Sequence, residues 1–369
     1  MSSRLIRRII APFLLPASLL YGIAMVIRNK LFDINILKSA EFDFPVISVG
    51  NITVGGTGKT PHVEYLMDLL HDKFKVAMLS RGYKRNTKGF LLASKNSGPE
   101  TIGDEPYQIF HKYKNISVAV DESRVNGVKA LKEKKNELQV VILDDAFQHR
   151  YILPGVSILL IDYNRPTFKD YLLPAGDLRE GRNAVYRADI VIVTKVPTDF
   201  KPIDKRIWIK KLNLFPYQYL YFTTYEYGEL CPLFSKKERN IELNVLKQSK
   251  LSVLLVTGIA NSGPLYDTIH SYSNKVEHIK YPDHHYYTTG DINLIKKRYN
   301  AIQAKRKIII TTEKDAVKLK KFKDMDRFVR ERIFYLPVKV RFLDNKKAEF
   351  DKHITNYVKK NKRIGYLHH

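Results

Sequence analysis

The chain begins with a 19-residue stretch without a charge, Ile9 to Ile27, preceded by Arg4, Arg7 and Arg8 and followed by Arg28 and Lys30. That length suits a spanning helix, but Pro12 and Pro16 interrupt it, and positive charge on both flanks gives neither end a preference for translocation. No small-x-small cleavage site follows before Arg28, which argues against a signal peptide. The pattern predicts a membrane-associating helix over residues 1–32, amphipathic or half-inserted, whose Arg and Lys residues meet acidic headgroups. The alternative is a helix packed on the protein's own core.

From Phe44 onward, short β-branched runs alternate with helical periodicity. Strands are predicted at Val46 to Val49, Lys75 to Leu79, Ile116 to Val120, Val140 to Leu143, Ser157 to Ile161 and Ile190 to Thr194. Helices are predicted at Lys59 to Asp72, Asp104 to Tyr113 and Glu122 to Lys135. Residues 201–230, with the aromatic run Phe215 to Tyr227, read as extended linker strands. The rhythm then resumes with strands Leu251 to Val256, Val276 to Tyr281 and Lys307 to Thr311, and helices Pro264 to Tyr272, Gly290 to Ala304 and Glu313 to Lys320. Strand-helix alternation of this kind builds a mainly parallel sheet with helices on both faces. The expected architecture is α/β: a P-loop NTPase-type, doubly wound domain over 33–200, linker strands, and a second, smaller α/β domain over 231–369.

The length of 369 residues accommodates two to three such units. Composition is that of an ordinary globular chain, 44% hydrophobic and 27% charged, which excludes disordered, collagenous and multi-span membrane classes. Charge changes the picture: 63 Lys and Arg against 38 Asp and Glu leave a net +25, so the partners should be anionic, whether nucleic acid, a phosphorylated metabolite or an acidic membrane surface. The single cysteine, Cys231, forms no internal disulfide, and no Cys/His spacing suits zinc. Both facts fit a reducing compartment.

The chemistry begins after the first strand. Gly50-Asn-Ile-Thr-Val-Gly-Gly-Thr-Gly-Lys-Thr60 runs from a predicted strand into a predicted helix, the context a Walker A loop requires. Backbone N–H groups over Thr53, Val54, Gly55, Gly56, Thr57 and Gly58 would cradle phosphates, Lys59 would reach the β/γ oxygens and the Thr60 hydroxyl would bind Mg²⁺. The strict pattern has Gly where Thr53 stands. A second NTPase element, an apolar strand ending in carboxylates, fits Val140-Val-Ile-Leu-Asp-Asp145, so Asp144 and Asp145 are candidate metal ligands.

A P-loop does not by itself define the acceptor, so the polar loops beyond the strand ends matter. Asp104 and Glu105 of Gly103-Asp-Glu-Pro106 are acids at a helix start, either a cap or a base. Leu173-Pro-Ala-Gly-Asp-Leu-Arg-Glu180 offers Arg179 and Glu180 together, and Tyr281-Pro-Asp-His-His285 sets a carboxylate beside two imidazoles.

Taken in order, VGNITVGGTGKTP, SRGYKR, GDEPY, ILDDAFQHR, LLPAGDLRE, RADIVIVTK, YPDHHYYT and TTEKDAVKL resemble, over nearly the whole chain, the tetraacyldisaccharide 4′-kinases of lipid A biosynthesis. The resemblance implies transfer of the ATP γ-phosphate to the 4′-hydroxyl of tetraacyldisaccharide 1-phosphate, giving lipid IVA, by an enzyme on the cytoplasmic face of the inner membrane. It implies Asp104 as general base with His284 as its partner, and metal or nucleotide contacts at Asp144, Asp145, Gln148 and Glu180. It also implies contacts to the lipid disaccharide or its phosphates at Tyr83, Arg124 and Arg179. Ala146 stands where the family has Gly, Gly181 where Pro often follows, and Thr53 opens the loop; none of these removes a chemical group, though Ala146 calls for a negative φ.

The residue chemistry agrees with that implication: Lys59, Arg179 and Mg²⁺ would neutralise charge on the γ-phosphate while Asp104 takes the hydroxyl proton. The competing reading is a nucleic-acid-stimulated P-loop ATPase, suggested by the charge and the 23 Tyr. No helicase, RRM or OB signature accompanies it, and no nucleic-acid partner is expected. A non-catalytic membrane-surface scaffold is the third.

Overall fold

The computed structural model describes residues 3–234, 239–273, 275–322 and 325–365, with side chains described between residues 11 and 360 of these ranges. The side chains of Arg4, Arg7 and Arg8 therefore lie outside the described residues. The chain divides into two compact units, residues 1–225 with 340–369, and residues 226–339.

The first unit is built on a nine-stranded sheet. Its central strands run Ile190–Thr194, Val156–Asp162, Val46–Gly50, Val140–Asp144, Val76–Ser80 and Ser117–Val120, all mutually parallel. The short strand Leu91–Leu92 closes one edge antiparallel. Nearly every residue of the central strands is buried, as expected for a sheet covered on both faces. Alternate residues divide between the faces. Ile47, Val49, Ile142 and Ile158 pack against Val63, Leu66, Met67 and Leu70 of the helix Lys59–Leu70. On the reverse face Leu79, Val141 and Leu143 meet Val128 and Leu131 of the helix Arg124–Lys134, while Val191 and Val193 meet Trp208 and Leu212. The register aligns Val49 with Asp144 and Gly50 with Leu159, so the loop after Gly50 and the acids after Leu143 emerge at the same carboxyl edge.

Two expectations about organisation need correction. Residues 201–230 are not linker strands: Pro202–Leu212 is a helix, and Tyr219–Tyr227 is a strand paired in parallel with Ile190–Thr194. Part of the aromatic run is extended as expected, but it belongs to the sheet, with Tyr221 and Phe222 buried in the core. Nor does the second domain run to the C-terminus. The strand Val338–Phe342 joins the first unit's sheet next to Tyr219–Tyr227, and the helix Lys347–Gly365 places Phe350, Ile354 and Val358 in that unit's core. Tyr357 fastens it, its hydroxyl lying 3.2 Å from the Val46 amide nitrogen.

The second unit has a five-stranded sheet in the order Val276–Lys280, Ser252–Thr257, Lys307–Thr312, Ile333–Leu336 and Cys231–Pro232, parallel except for the last. The helices Gly263–Tyr272, Thr289–Ala301 and Glu313–Leu319 accompany it. Both folds are the expected α/β.

The N-terminal segment is one helix, Ser3–Asp33, uninterrupted at Pro12 and Pro16. Its stretch Ala11–Asp33 is long and apolar enough to cross a membrane, and little of it is buried.

Candidate functional site

The strand Val46–Gly50 ends under Phe147: a Cβ on Gly50 would lie 2.6 Å from the Phe147 Cβ, so only glycine allows this approach. The loop that follows is braced from within, Asn51 donating from Nδ2 to Thr57 Oγ1 at 2.8 Å, and from below by Thr194, whose hydroxyl donates to the Thr57 carbonyl at 2.8 Å. Lys195 donates to the Gly56 carbonyl and to Asp162 Oδ2. Gly58 caps the helix Lys59–Leu70 at φ +92°, a left-handed conformation that places Lys59 and Thr60 in the first turn. Thr53 is tolerated because it is no turn residue. It is buried and forms a bridge with Leu178, and Val54 N donates to the Asp177 carbonyl at 2.8 Å, so the phosphate loop is stitched to the LPAGDLRE loop.

His62, one turn into the helix, is buried with Nδ1 2.8 Å from the Gly58 carbonyl and Nε2 3.1 Å from Thr223 Oγ1. Burial, with Lys195 nearby, lowers its pKa to about 4 despite the bond to Gly58. It is therefore neutral, Nδ1–H donating to Gly58 and Nε2 accepting from Thr223.

The two acids at the end of Val140–Asp144 have opposite electrostatics. Asp144 is 2% exposed. Burial, Glu105 and Asp145 push its carboxyl up to about 7, against the pull of Lys59 and Arg124. Its Oδ2 accepts from Ser80 Oγ at 3.2 Å, while the buried Oδ1 has no hydrogen-bond partner among the described residues. Asp145 is also desolvated, but Lys59 at 3.6 Å and Arg179 at 3.3 Å outweigh this and hold its carboxyl below the usual range. Asp145 carries the left-handed φ of the turn, +49°, whereas Ala146 has no positive φ; the alanine is thus unstrained.

Gln148 joins this cluster, donating from Nε2 to the Asn51 carbonyl at 2.6 Å. Asp104 starts the helix Asp104–Lys112 and is 7% exposed. Gly103 before it, at φ +88°, sits against the backbone of Gly82 and Tyr83, which brings SRGYKR beside GDEP. Tyr83 is exposed in that loop. The neighbouring Glu105 acts on the charge of Asp144, so this helix start faces the end of the acid-bearing strand.

Two candidates have other duties. Glu180, expected at the metal, is fully buried. Both its oxygens accept from Arg187, at 2.8 and 3.1 Å, and Asn29 donates to Oε2 at 3.0 Å. A carboxylate so engaged neutralises a partly buried guanidinium. Arg124, expected at the lipid, is 2% exposed and donates to the carbonyls of Asp144 and Asp145 at 3.1 and 3.3 Å. It braces the turn that presents the acids.

In the second unit the two adjacent histidines separate. His285 stacks on Tyr281 and lies 3.0 Å from Asp291 through Nε2, which makes it a framework residue. His284 sits at φ +61°, with Lys314 Nζ 3.2 Å from its Nε2 and 3.1 Å from Asp283 Oδ1. Lys314 comes from TTEKDAVKL and was not singled out in sequence. Ser80, Asn51 and Arg187 were likewise missed; Ser80 follows the expected strand Lys75 to Leu79, but the pairing of that strand with the acid-bearing one is a tertiary feature.

The geometry is that of a nucleoside triphosphate site, and comparison with known proteins identifies its lineage. The family profile of LpxK, described as tetraacyldisaccharide-1-P 4′-kinase, matches residues 10–359. The chain belongs to this family. Family relatives named tetraacyldisaccharide 4′-kinase include one from Bacteroides thetaiotaomicron, 46% identical over 95% of this chain and 94% of its own, and one from Phocaeicola vulgatus, 48% identical over 95% and 96%. The crystal structure of LpxK from Aquifex aeolicus in complex with ATP is similar at a TM-score of 0.73 and 32% identity, covering 95% of this chain and 99% of that one. The expected family and fold are borne out. Membership of a lipid-kinase family accounts for what a generic P-loop does not, the presence of GDEP, LPAGDLRE and PDHH together on one chain.

Proposed function

We propose that the protein transfers the γ-phosphoryl group of ATP to the 4′-hydroxyl of tetraacyldisaccharide 1-phosphate, giving lipid IVA. The observation that carries this reading is the convergence of Lys59, Arg179 and the acid pair on the phosphate loop of a chain matched by the 4′-kinase family over residues 10–359.

Lys59 and the loop amides hold the β- and γ-phosphates, and Arg179, paired with Asp145 at 3.3 Å, turns to the γ-phosphate as negative charge develops. Asp104 accepts the hydroxyl proton of the sugar. His284 is assigned to the same reaction by family resemblance, Tyr83 to the disaccharide, and Gln148 to the nucleotide side.

The residues present suit Mg²⁺. Asp144 offers a buried oxygen with no other partner among the described residues, and Thr60 a hydroxyl in the first helical turn. One or two protein oxygens plus substrate phosphates is how Mg²⁺ is ordinarily held. When bound, the ion would offset negative charge on the nucleotide's phosphates. Asp145, paired with Lys59 and Arg179, is the second candidate ligand.

We place the protein on the cytoplasmic face of the inner membrane, as the family resemblance implies; the helix Ser3–Asp33 supports membrane association as such. Phe13, Leu19, Leu20 and Val26 are each more than 60% exposed and form an apolar face suited to the headgroup boundary. The test is purified full-length protein with γ-labelled ATP, Mg²⁺ and tetraacyldisaccharide 1-phosphate in detergent. Labelled lipid is expected; ATP consumption without labelled lipid would refute the acceptor.

A further inference from the structure

The N-terminal helix is inside-out for a helix on a protein surface. Its outward face is apolar, while the stripe turned to the first unit, spaced at three and four residues, contains Ser18, Tyr21, Arg28 and Asn29. Each of these polar groups binds one of the two segments that meet at Asp145. Ser18 Oγ donates to the Leu172 carbonyl at 3.0 Å and accepts from Ala175 N at 2.9 Å. The Tyr21 hydroxyl donates to the main-chain carbonyl of Arg179 at 2.7 Å. Asn29 donates to Glu180, which is locked by Arg187. Arg28 donates to the main-chain carbonyl of Gln148 at 2.9 Å. Arg179 itself donates its amide to the Ile52 carbonyl at 2.7 Å, inside the phosphate loop.

From this arrangement we infer that Tyr21 and Asn29 are positioning residues for Arg179: the helix that meets the membrane holds the Arg179 backbone from one side while the phosphate loop holds it from the other. Neither residue touches a reacting atom. Tyr21 fixes the Arg179 carbonyl directly, and Asn29 fixes the next residue through the Glu180 carboxylate. A guanidinium on a long side chain reaches the γ-phosphate reproducibly only if its backbone is fixed, and misplacement of about 1 Å is costly to transfer. The inference rests on the reading of Arg179 as a γ-phosphate contact.

A double-mutant cycle in detergent micelles, where membrane partition does not limit the rate, tests it. Tyr21→Phe removes one hydroxyl, and Asn29→Ala is the second, independent probe. Each should lower kcat about five- to tenfold, the worth of one hydrogen bond, with KM for the lipid acceptor and the melting temperature little changed. In an Arg179→Ala background the same changes should lower kcat less than twofold, because the group they position is gone. Full additivity in that background overturns the inference, as does wild-type kcat in both single variants or an effect confined to KM for the lipid. If Arg179→Ala alone leaves kcat near wild type, the assignment of Arg179 fails instead.

Discussion

Asp144→Asn is the perturbation whose size follows most directly from the structure. The Asp144 carboxyl is pushed from its ordinary 3.8 to about 7, first by burial and then by Glu105 and Asp145. A difference of that size corresponds to about 4 kcal/mol. In the unfolded chain the group ionises near its ordinary value, so between about pH 4 and pH 7 the folded protein holds a proton that the unfolded one has released. Stability contributed by this site therefore falls as pH rises through that window and stays reduced above it. Asparagine keeps the shape and carries no charge at any pH. Thermal unfolding of metal-free full-length protein at pH 5 and pH 8 should show the variant losing less stability than wild type, and exceeding it at pH 8 by up to about 4 kcal/mol. The same variant should lose the stabilisation that Mg²⁺ and ATP confer, and turnover should fall at least ~10²-fold, since the site is built for an ion rather than for folding. Parallel loss of stability in variant and wild type between the two pH values would refute the electrostatic account, and retained turnover would refute the metal assignment.

Asp104→Asn should lower kcat by ~10²- to 10⁴-fold with KM for ATP nearly unchanged in steady-state kinetics; a change in ATP affinity with kcat near wild type would mean that Asp104 is not the base. Glu180→Gln leaves the Arg187 guanidinium without its carboxylate and should cost about 3 kcal/mol in denaturant unfolding, with the Mg²⁺ concentration dependence of activity unaltered. A shifted Mg²⁺ requirement would return Glu180 to the metal. Lys59→Ala should reduce turnover at least ~10²-fold and weaken ATP binding measured by calorimetry. Replacing the exposed Leu19 and Leu20 with Glu should abolish co-sedimentation with anionic vesicles while leaving the melting temperature in place; unchanged sedimentation would remove the helix from the membrane-binding account.

Most of the architecture could be read from local pattern. The central strands of the first unit are near-continuous β-branched runs because both faces are covered, and the glycine loop, the acids after Leu143 and the helix starts carry their own signals. What could not be read locally depended on partners distant in sequence. Tyr219–Tyr227 looks like an aromatic linker until the sheet edge of Ile190–Thr194 provides its pairing. The helix Lys347–Gly365 has the same amphipathic pattern whichever core receives it; packing beside the helix Lys59–Leu70 on one face of the first unit's sheet decides.

The same division holds at the site. Residue types and spacing pointed to a phosphate loop and a carboxylate-tipped strand, since backbone cradles and cation ligands demand particular atoms at particular short separations; the lipid-kinase family came from the resemblance of the ordered motifs and not from spacing. Only the tertiary structure distinguished Asp144 from Asp145, because a charge is stabilised or penalised by what surrounds it, and Lys59, Arg179 and Glu105 arrive from three different segments. It likewise showed Glu180 paired with Arg187 and Asn29, and Arg124 bonded to the Asp144 and Asp145 carbonyls, contacts that residue types alone do not reveal. It also turned the apolar N-terminal run from a bare membrane signal into a helix with two faces, one suited to lipid and one bonded to the loop of Arg179.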